Sequence, residues 1–224
     1  MSTNVLIIGE SGSGKSTAIR TLNPKETFII NVLDKPLPFK GWRRNYIIVK
    51  DEDGKITNET NYLYTDKYSK ICSIMQYISK HRIDIKNVII DDFQYIMANE
   101  FMNRASEKGY EKFTEIAKHA WDVINASNFA RNDLTFFYLS HCDTDANGKI
   151  KCKTIGKMLD DKISIEGMFS VVFYSHIREE GYVFQTQGDG NTIAKSPMDM
   201  FNELYIPNDL QYVADKVNDY FEDV

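Results

Sequence analysis

The sequence predicts an α/β protein, a mostly parallel central sheet flanked by helices and extended by an antiparallel hairpin. Three observations carry that expectation. Short apolar runs alternate with stretches of helical periodicity along the 224 residues. A glycine-rich segment, Gly9-Glu10-Ser11-Gly12-Ser13-Gly14-Lys15-Ser16, lies between the first apolar run and the first helical stretch. A later apolar run, Val88-Ile89-Ile90, ends in Asp91-Asp92. Acid at the tip of a continuous apolar run suits a strand buried on both faces of a parallel sheet.

The elements follow in order. Asn4 to Ile8 is the first buried strand. Lys15 to Leu22 reads as a helix stopped by Asn23-Pro24, and Thr27 to Leu33 as a β-branched and aromatic strand. Asn45 to Lys50 is the next candidate strand, ahead of an Asp53-Gly54 turn. Ile71, Ile74, Met75 and Ile78 give Tyr68 to His81 the spacing of an amphipathic helix. The acid-tipped strand spans Lys86 to Asp92, and helical periodicity runs from Phe93 to about Ala130 with a break near Gly109. Leu134 to Ser140 is a third apolar strand, and Asn147-Gly148 predicts a hairpin. Met168 to Ser175 pairs with Tyr182 to Thr186 across Glu180-Gly181. A short helix is expected around Met198 to Phe201, and Leu210 to Phe221 closes the chain as an amphipathic helix. No repeat or linker interrupts the pattern, so residues 1–224 are expected to form one domain.

Composition narrows the function classes. A net charge of −5 offers no global basic field for nucleic acid or membrane, so any such contact must be local. Three cysteines without a CxxC pair suit a reducing compartment. No apolar run approaches the roughly 20 residues that span a bilayer. The expectation is a soluble cytoplasmic protein.

Gly9-x4-Gly14-Lys15-Ser16 satisfies the P-loop pattern, with a strand before it and a helix after it. Such a loop turns backbone N–H groups inward around a phosphate, where side chains at Gly9, Gly12 and Gly14 would obstruct it. The helix N-terminus adds partial positive charge. Glu10, Ser11, Ser13 and Thr17 complete the candidate nucleotide-binding segment. Lys15 is expected at the β- and γ-phosphates of ATP, with Ser16 and Asp91 as the Mg²⁺ pair. Asp92 is either a general base for the attacking water or a cap for the helix starting at Phe93. Asp34, at the end of the second strand, is a second candidate base, its alternative being a loop acid ahead of Lys35-Pro36.

Two other clusters lack ligand spacing. Asp143-x-Asp145-x-Asn147-Gly148 begins like a calcium loop, but Thr154 stands where a bidentate Glu is needed. His141, Cys142 and Cys152 lack zinc spacing.

The order of phosphate loop, acid-ended second strand, acid-tipped strand and then Leu134 to Ser140 followed by His141 resembles the RecA-like ATPase core. In particular it is similar to the small AAA-family ATPases of bacteriophages, which include the core-only Sak-type recombination ATPases. The resemblance covers nearly the whole chain, though only the phosphate loop and the acid-tipped strand are specific motifs. It implies a RecA-like P-loop fold, an ATPase using ATP and Mg²⁺, a homo-oligomer, and the host cytoplasm. It also implies recombination or replication on single-stranded DNA, with a phage single-strand-binding protein as a further partner. A nucleotide-dependent switch acting on a protein partner is the alternative. His141 occupies the place where the family usually has a γ-phosphate-sensing Gln, its alternative being a surface histidine at a strand end. Lys149, Lys151, Lys153 and Lys157 lie where RecA-like proteins hold DNA, offset by Asp143, Asp145, Asp160, Asp161 and Glu166, so a solvated hairpin face is equally open. Lys195 and Arg178 are the candidates for a cation reaching a neighbour's γ-phosphate.

Overall fold

The computed structural model describes residues 2–145, 147–155, 164–179 and 181–222, and the following concerns those residues. Five strands run parallel because helices or loops return the chain between them. They are β1 (Thr3–Gly9), β2 (Thr27–Asn31), β3 (Tyr62–Tyr64), β4 (Asn87–Asp91) and β5 (Thr135–Thr144). β7 (Val171–Arg178) joins them in parallel beside β1. β8 (Gly181–Gln185) and β9 (Tyr205–Pro207) then continue the sheet antiparallel. The order is β3-β2-β4-β5-β1-β7-β8-β9, so β5 separates β1 from β4. β6 (Ile150–Cys152) folds back on the end of β5, pairing Cys142 with Cys152 and Asp143 with Lys151. The expected hairpin at Asn147-Gly148 is therefore present, with Gly148 at φ 81°.

Side-chain alternation along each strand builds two cores. Leu6 and Ile8 of β1 face one side, with Ile90, Tyr138 and Val172. Helices α2 (Tyr68–His81), α3 (Gln94–Asn103) and α4 (Glu111–Asn128) cover that side through Ile71, Met75, Ile116 and Val123. Val5 and Ile7 face the other side, with Ile89, Leu139 and Phe173. The last helix, α5 (Leu210–Glu222), and a 3-10 helix at Ser16–Thr21 cover it through Val213, Val217, Ala18 and Ile19. Each fully buried Val, Ile or Leu contributes roughly 1.5–3 kcal/mol of transfer free energy. Among the described residues the sheet is thus packed on both faces.

Several elements differ from the sequence expectation. The helix after the loop is a 3-10 helix of six residues. Arg20 and Thr21 side chains take the carbonyls of Thr17 and Ala18, and Pro24 restricts Asn23, so the turn neither lengthens nor relaxes. Its short length gives little of the dipole expected there. Asn45 to Lys50 is not a strand. Trp42–Asn45 forms a single helical turn, α1, after Gly41 at φ 83°. Side chains of Asn61 and Thr60 then take the N–H groups of Ile47 and Val49, each at 2.8 Å. Met198 to Phe201 is a turn, because Asp199 at φ 63° ends helical geometry. β3 and β9, three residues each, had no signal above their neighbours. Lys157, Asp160, Asp161 and Glu180 lie outside the described residues. No helix among those described is long and apolar enough to cross a membrane.

Candidate functional site

The parallel strands end along one edge of the sheet. Register aligns Gly9 with His141 and Asn31 with Asp91, while Tyr174 pairs with Ile8 one residue before Ser175. Brought to that edge are the glycine-rich loop from β1, the Asp91-Asp92 tip of β4, and His141 of β5. The loop itself is tightly enclosed. A Cβ on Gly9 would sit 2.5 Å from both Ser13 Oγ and the Ser175 carbonyl. Gly14 has φ +98°, and a Cβ there would lie 2.7 Å from the Tyr182 ring. No other residue fits either position. Ser175 Oγ donates to the Ser13 carbonyl at 2.8 Å and Asn208 Nδ2 to the Gly14 carbonyl at 3.1 Å, fixing the loop from behind. Glu10, Ser11 and Gly12 form its exposed rim, and Thr17 is half-buried beyond it.

Lys15 is 7% exposed, and its ammonium donates to the carbonyls of Gly9 at 2.9 Å and Glu10 at 2.7 Å. Burial lowers its pKa even though the Asp92 and Asp91 carboxylates pull the other way. The cation is thus held inside the loop by neutral acceptors, an arrangement that an entering anion improves. Ser16 Oγ donates to Asp91 Oδ1 at 2.7 Å. Residues 75 positions apart in sequence meet here, which brings a hydroxyl and a carboxylate together beside the loop. Burial, then the neighbouring Asp92, pushes the Asp91 carboxyl up to about 6. Among the described residues no group of three or more His, Cys, Asp or Glu could hold a metal on its own. A hydroxyl and one carboxylate do suit Mg²⁺, which keeps water and phosphate as its other ligands.

Asp92 has φ 65° and Asp34 φ 54°, a backbone region in which a residue other than Gly pays about 1–3 kcal/mol. Both acids follow strand ends, Asp34 after β2 and Asp92 after β4. The Asp92 carboxylate does not cap α3, whose N-terminus has no side-chain cap. It is taken instead by Lys35 Nζ at 2.7 Å and faces His141 Nε2 at 3.6 Å. Burial would raise its pKa, but the neighbouring His141 and the Lys35 ammonium outweigh that and hold it below the usual value. Asp91 and Asp92 are therefore driven apart, one reluctant to ionise and the other kept ionised. Asp34 is exposed and accepts from Tyr62 OH at 3.3 Å. Burial, with Asp34 beside it, pushes that phenol up to about 12. His141 is fixed from α3, where Gln94 Oε1 accepts from the His141 N–H at 3.0 Å and from Ser140 Oγ at 3.2 Å.

The remaining candidates lie farther from the loop. Lys149 and Lys153 are exposed at the ends of β6, and Lys151 pairs in register with Asp143. Asp145 caps the hairpin turn, accepting from the N–H groups of Asn147 at 2.8 Å and Lys149 at 2.9 Å. Lys153 and His141 line one cavity of about 170 Å³ with Tyr95 and Ile155. Arg178 stacks over the Tyr205 ring at 4.0 Å. Lys195 is tied by its backbone to Val172, three residues before Ser175 along β7. Lys35, Gln94, Ser175, Tyr182 and Asn208 belong to the site without having been read from the sequence. Only Lys35 carried a signal, following an acid at a strand end. No protein-family model matches the chain, and no curated protein matches it.

Proposed function

We propose that the chain is a RecA-like P-loop ATPase that requires Mg²⁺. The observation that carries this is the 2.7 Å contact between Ser16 and Asp91, which joins the end of the glycine-rich loop to the acid tip of β4. Three further features support it: loop glycines required by close contacts, a buried lysine held on loop carbonyls, and β5 lying between β1 and β4. Backbone N–H groups of residues 10–16 hold the β-phosphate, and Lys15 leaves the Gly9 and Glu10 carbonyls for the β- and γ-phosphate oxygens. Ser16 and Asp91 would hold Mg²⁺ directly or through water. The metal, when bound, neutralises charge on the β- and γ-phosphates. Asp92, ionised and beside His141, orients the attacking water and accepts its proton. His141 donates toward the γ-phosphate region from the sensor position.

A titration of ATP into the native protein, Lys15→Ala and Asp91→Ala tests this directly. Lys15→Ala loses ATP binding, while Asp91→Ala keeps binding but loses Mg²⁺-dependent turnover. Native-like ATP affinity in Lys15→Ala would end the reading.

For the effector we propose single-stranded DNA, met by the β5–β6 hairpin in a homo-oligomer. Its support is continuity, since the hairpin prolongs the strand that carries His141, and Lys153 shares a cavity with that histidine. Asp143 and Asp145 offset part of the hairpin charge, so single protomers bind weakly and aligned protomers add their contacts. A switch acting on a protein partner is what remains if DNA does not bind.

A further inference from the structure

The ion pair between Lys35 and Asp92 joins an exposed side chain to a buried one. Lys35 is 54% exposed, whereas the Asp92 side chain is 9% exposed. The backbone of Lys35 is pinned, because Asn31 Nδ2 donates to its carbonyl at 2.8 Å. Asn31 is itself the register partner of Asp91. A flexible four-carbon stem therefore starts from a fixed point beside the acid tip of β4 and ends in a cation near Asp92. Its ammonium also lies 5.5 Å from the centroid of the Tyr95 ring. Charge interaction reaches from Lys35 to Asp91 and Lys15 as well, so all four groups share one electrostatic site.

This pairing has a consequence for water activation. A carboxylate held by an ammonium at 2.7 Å is a weaker base than a free one, because the cation stabilises its ionised form. Asp92 keeps lone pairs that a water can reach, but while Lys35 stays paired the cation weakens their pull on the water's proton. A γ-phosphate arriving beside Lys15 brings more negative charge than the carboxylate and would compete for the ammonium of the half-exposed Lys35 side chain. From this geometry we propose that Lys35 is a catalytic cation supplied by the chain itself, which moves from Asp92 to the γ-phosphate when ATP binds and so releases Asp92 for the attacking water. The proposal rests on the ATPase reading above. In the reaction the water oxygen bonds to the γ-phosphorus while the bond from that phosphorus to the β–γ bridging oxygen breaks. ADP leaves with that electron pair, the water proton passes to Asp92, and Lys35 neither gains nor loses a proton. ADP, lacking the γ-phosphate, leaves Lys35 on Asp92.

The experiment compares ATP and ADP affinity and turnover in the native protein, Lys35→Ala, Lys35→Met and Lys35→Arg. Lys15→Ala serves as the reference for lost nucleotide binding, and thermal melting checks folding. Lys35→Ala and Lys35→Met are expected to keep ADP affinity, to lose about tenfold of the preference for ATP over ADP, and to lose about 10²-fold or more in turnover. Lys35→Arg recovers much of both. Unchanged turnover and an unchanged ATP-to-ADP ratio in Lys35→Ala and Lys35→Met overturn the proposal. An equal loss of ATP and ADP affinity also overturns it, because it marks a structural role. Native protein that binds neither nucleotide fails at the earlier step, and the ATPase reading falls with it.

Discussion

At the scale of single residues, the site is a set of charges each parked on a protein partner. Lys15 rests on loop carbonyls, Ser16 on Asp91, and Lys35 on Asp92. Asp91 bears the largest cost. It is 4% exposed, and its pKa of about 6 lies above the ordinary 3.8. A carboxyl with a raised folded pKa stabilises the fold below about pH 4 and loses that contribution as pH rises through 6. At pH 7.5 its buried charge therefore works against the nucleotide-free fold. Asp91→Asn keeps an acceptor for Ser16 and removes the charge. It is expected to raise stability at pH 7.5 by about 1–3 kcal/mol, with the gap narrowing toward pH 4, while Mg²⁺-dependent turnover is lost. Urea unfolding at both pH values measures it. A variant less stable than the native protein at pH 7.5 would show that the Ser16–Asp91 contact gains more from the charge than burial costs.

At the scale of elements, the β5–β6 hairpin carries the lysine face proposed for DNA, with Lys149 and Lys153 exposed. Its strand pairing is set by Cys142 with Cys152, and its turn by Asp145 and by Gly148 at φ 81°. The alternation of Lys149, Lys151 and Lys153 places them on one face of the strand. If these lysines meet DNA phosphates, removing all three should reduce the salt dependence of single-strand affinity by about 0.7 per contact on a log–log plot. The measurement is affinity against salt, with ATP present, for the native protein and the triple Lys→Ala variant. Equal slopes would exclude the hairpin from the DNA site. The hairpin's register and its Asp145 turn rest on hydrogen bonds to backbone groups, and thermal melting of the variant checks that they survive the substitutions.

At the scale of the whole molecule, the parallel strands bring the loop, the Asp91-Asp92 tip and His141 to one edge, whereas Arg178 and Lys195 lie on or beside β7. Arg178 stacks over Tyr205, and the Lys195 backbone is bridged to Val172 near the start of β7. Whether a neighbour supplies a cation can be decided by mixing inactive variants. If Lys35 acts within its own chain, Lys15→Ala mixed with Lys35→Ala recovers no turnover. Recovery would mean that Lys35 serves the site of an adjacent protomer. In contrast, recovery from Lys15→Ala mixed with the Arg178→Ala, Lys195→Ala double variant would assign the distal pair a role across an interface.

The sequence by itself determined the α/β class, the helix Tyr68–His81, the strands that carry the site, and the loop with its acid tip. These are local signals, made of periodicity, continuous apolar runs and glycine spacing. It could not distinguish the 3-10 helix from an α-helix, because side-chain bonds to Thr17 and Ala18 carbonyls decide it. It could not exclude a strand at Asn45 to Lys50 either, since Asn61 and Thr60 claim those N–H groups from beyond the segment. The role of Asp92 shows the same division. As letters, Asp91-Asp92 before a helix allowed a cap or a base. Only the folded chain turned Asp92 to φ 65°, brought Lys35 from the end of β2 and set His141 across from it. Strand order makes such neighbours, and strand order depends on which faces must be buried together, a property that no stretch of sequence holds alone.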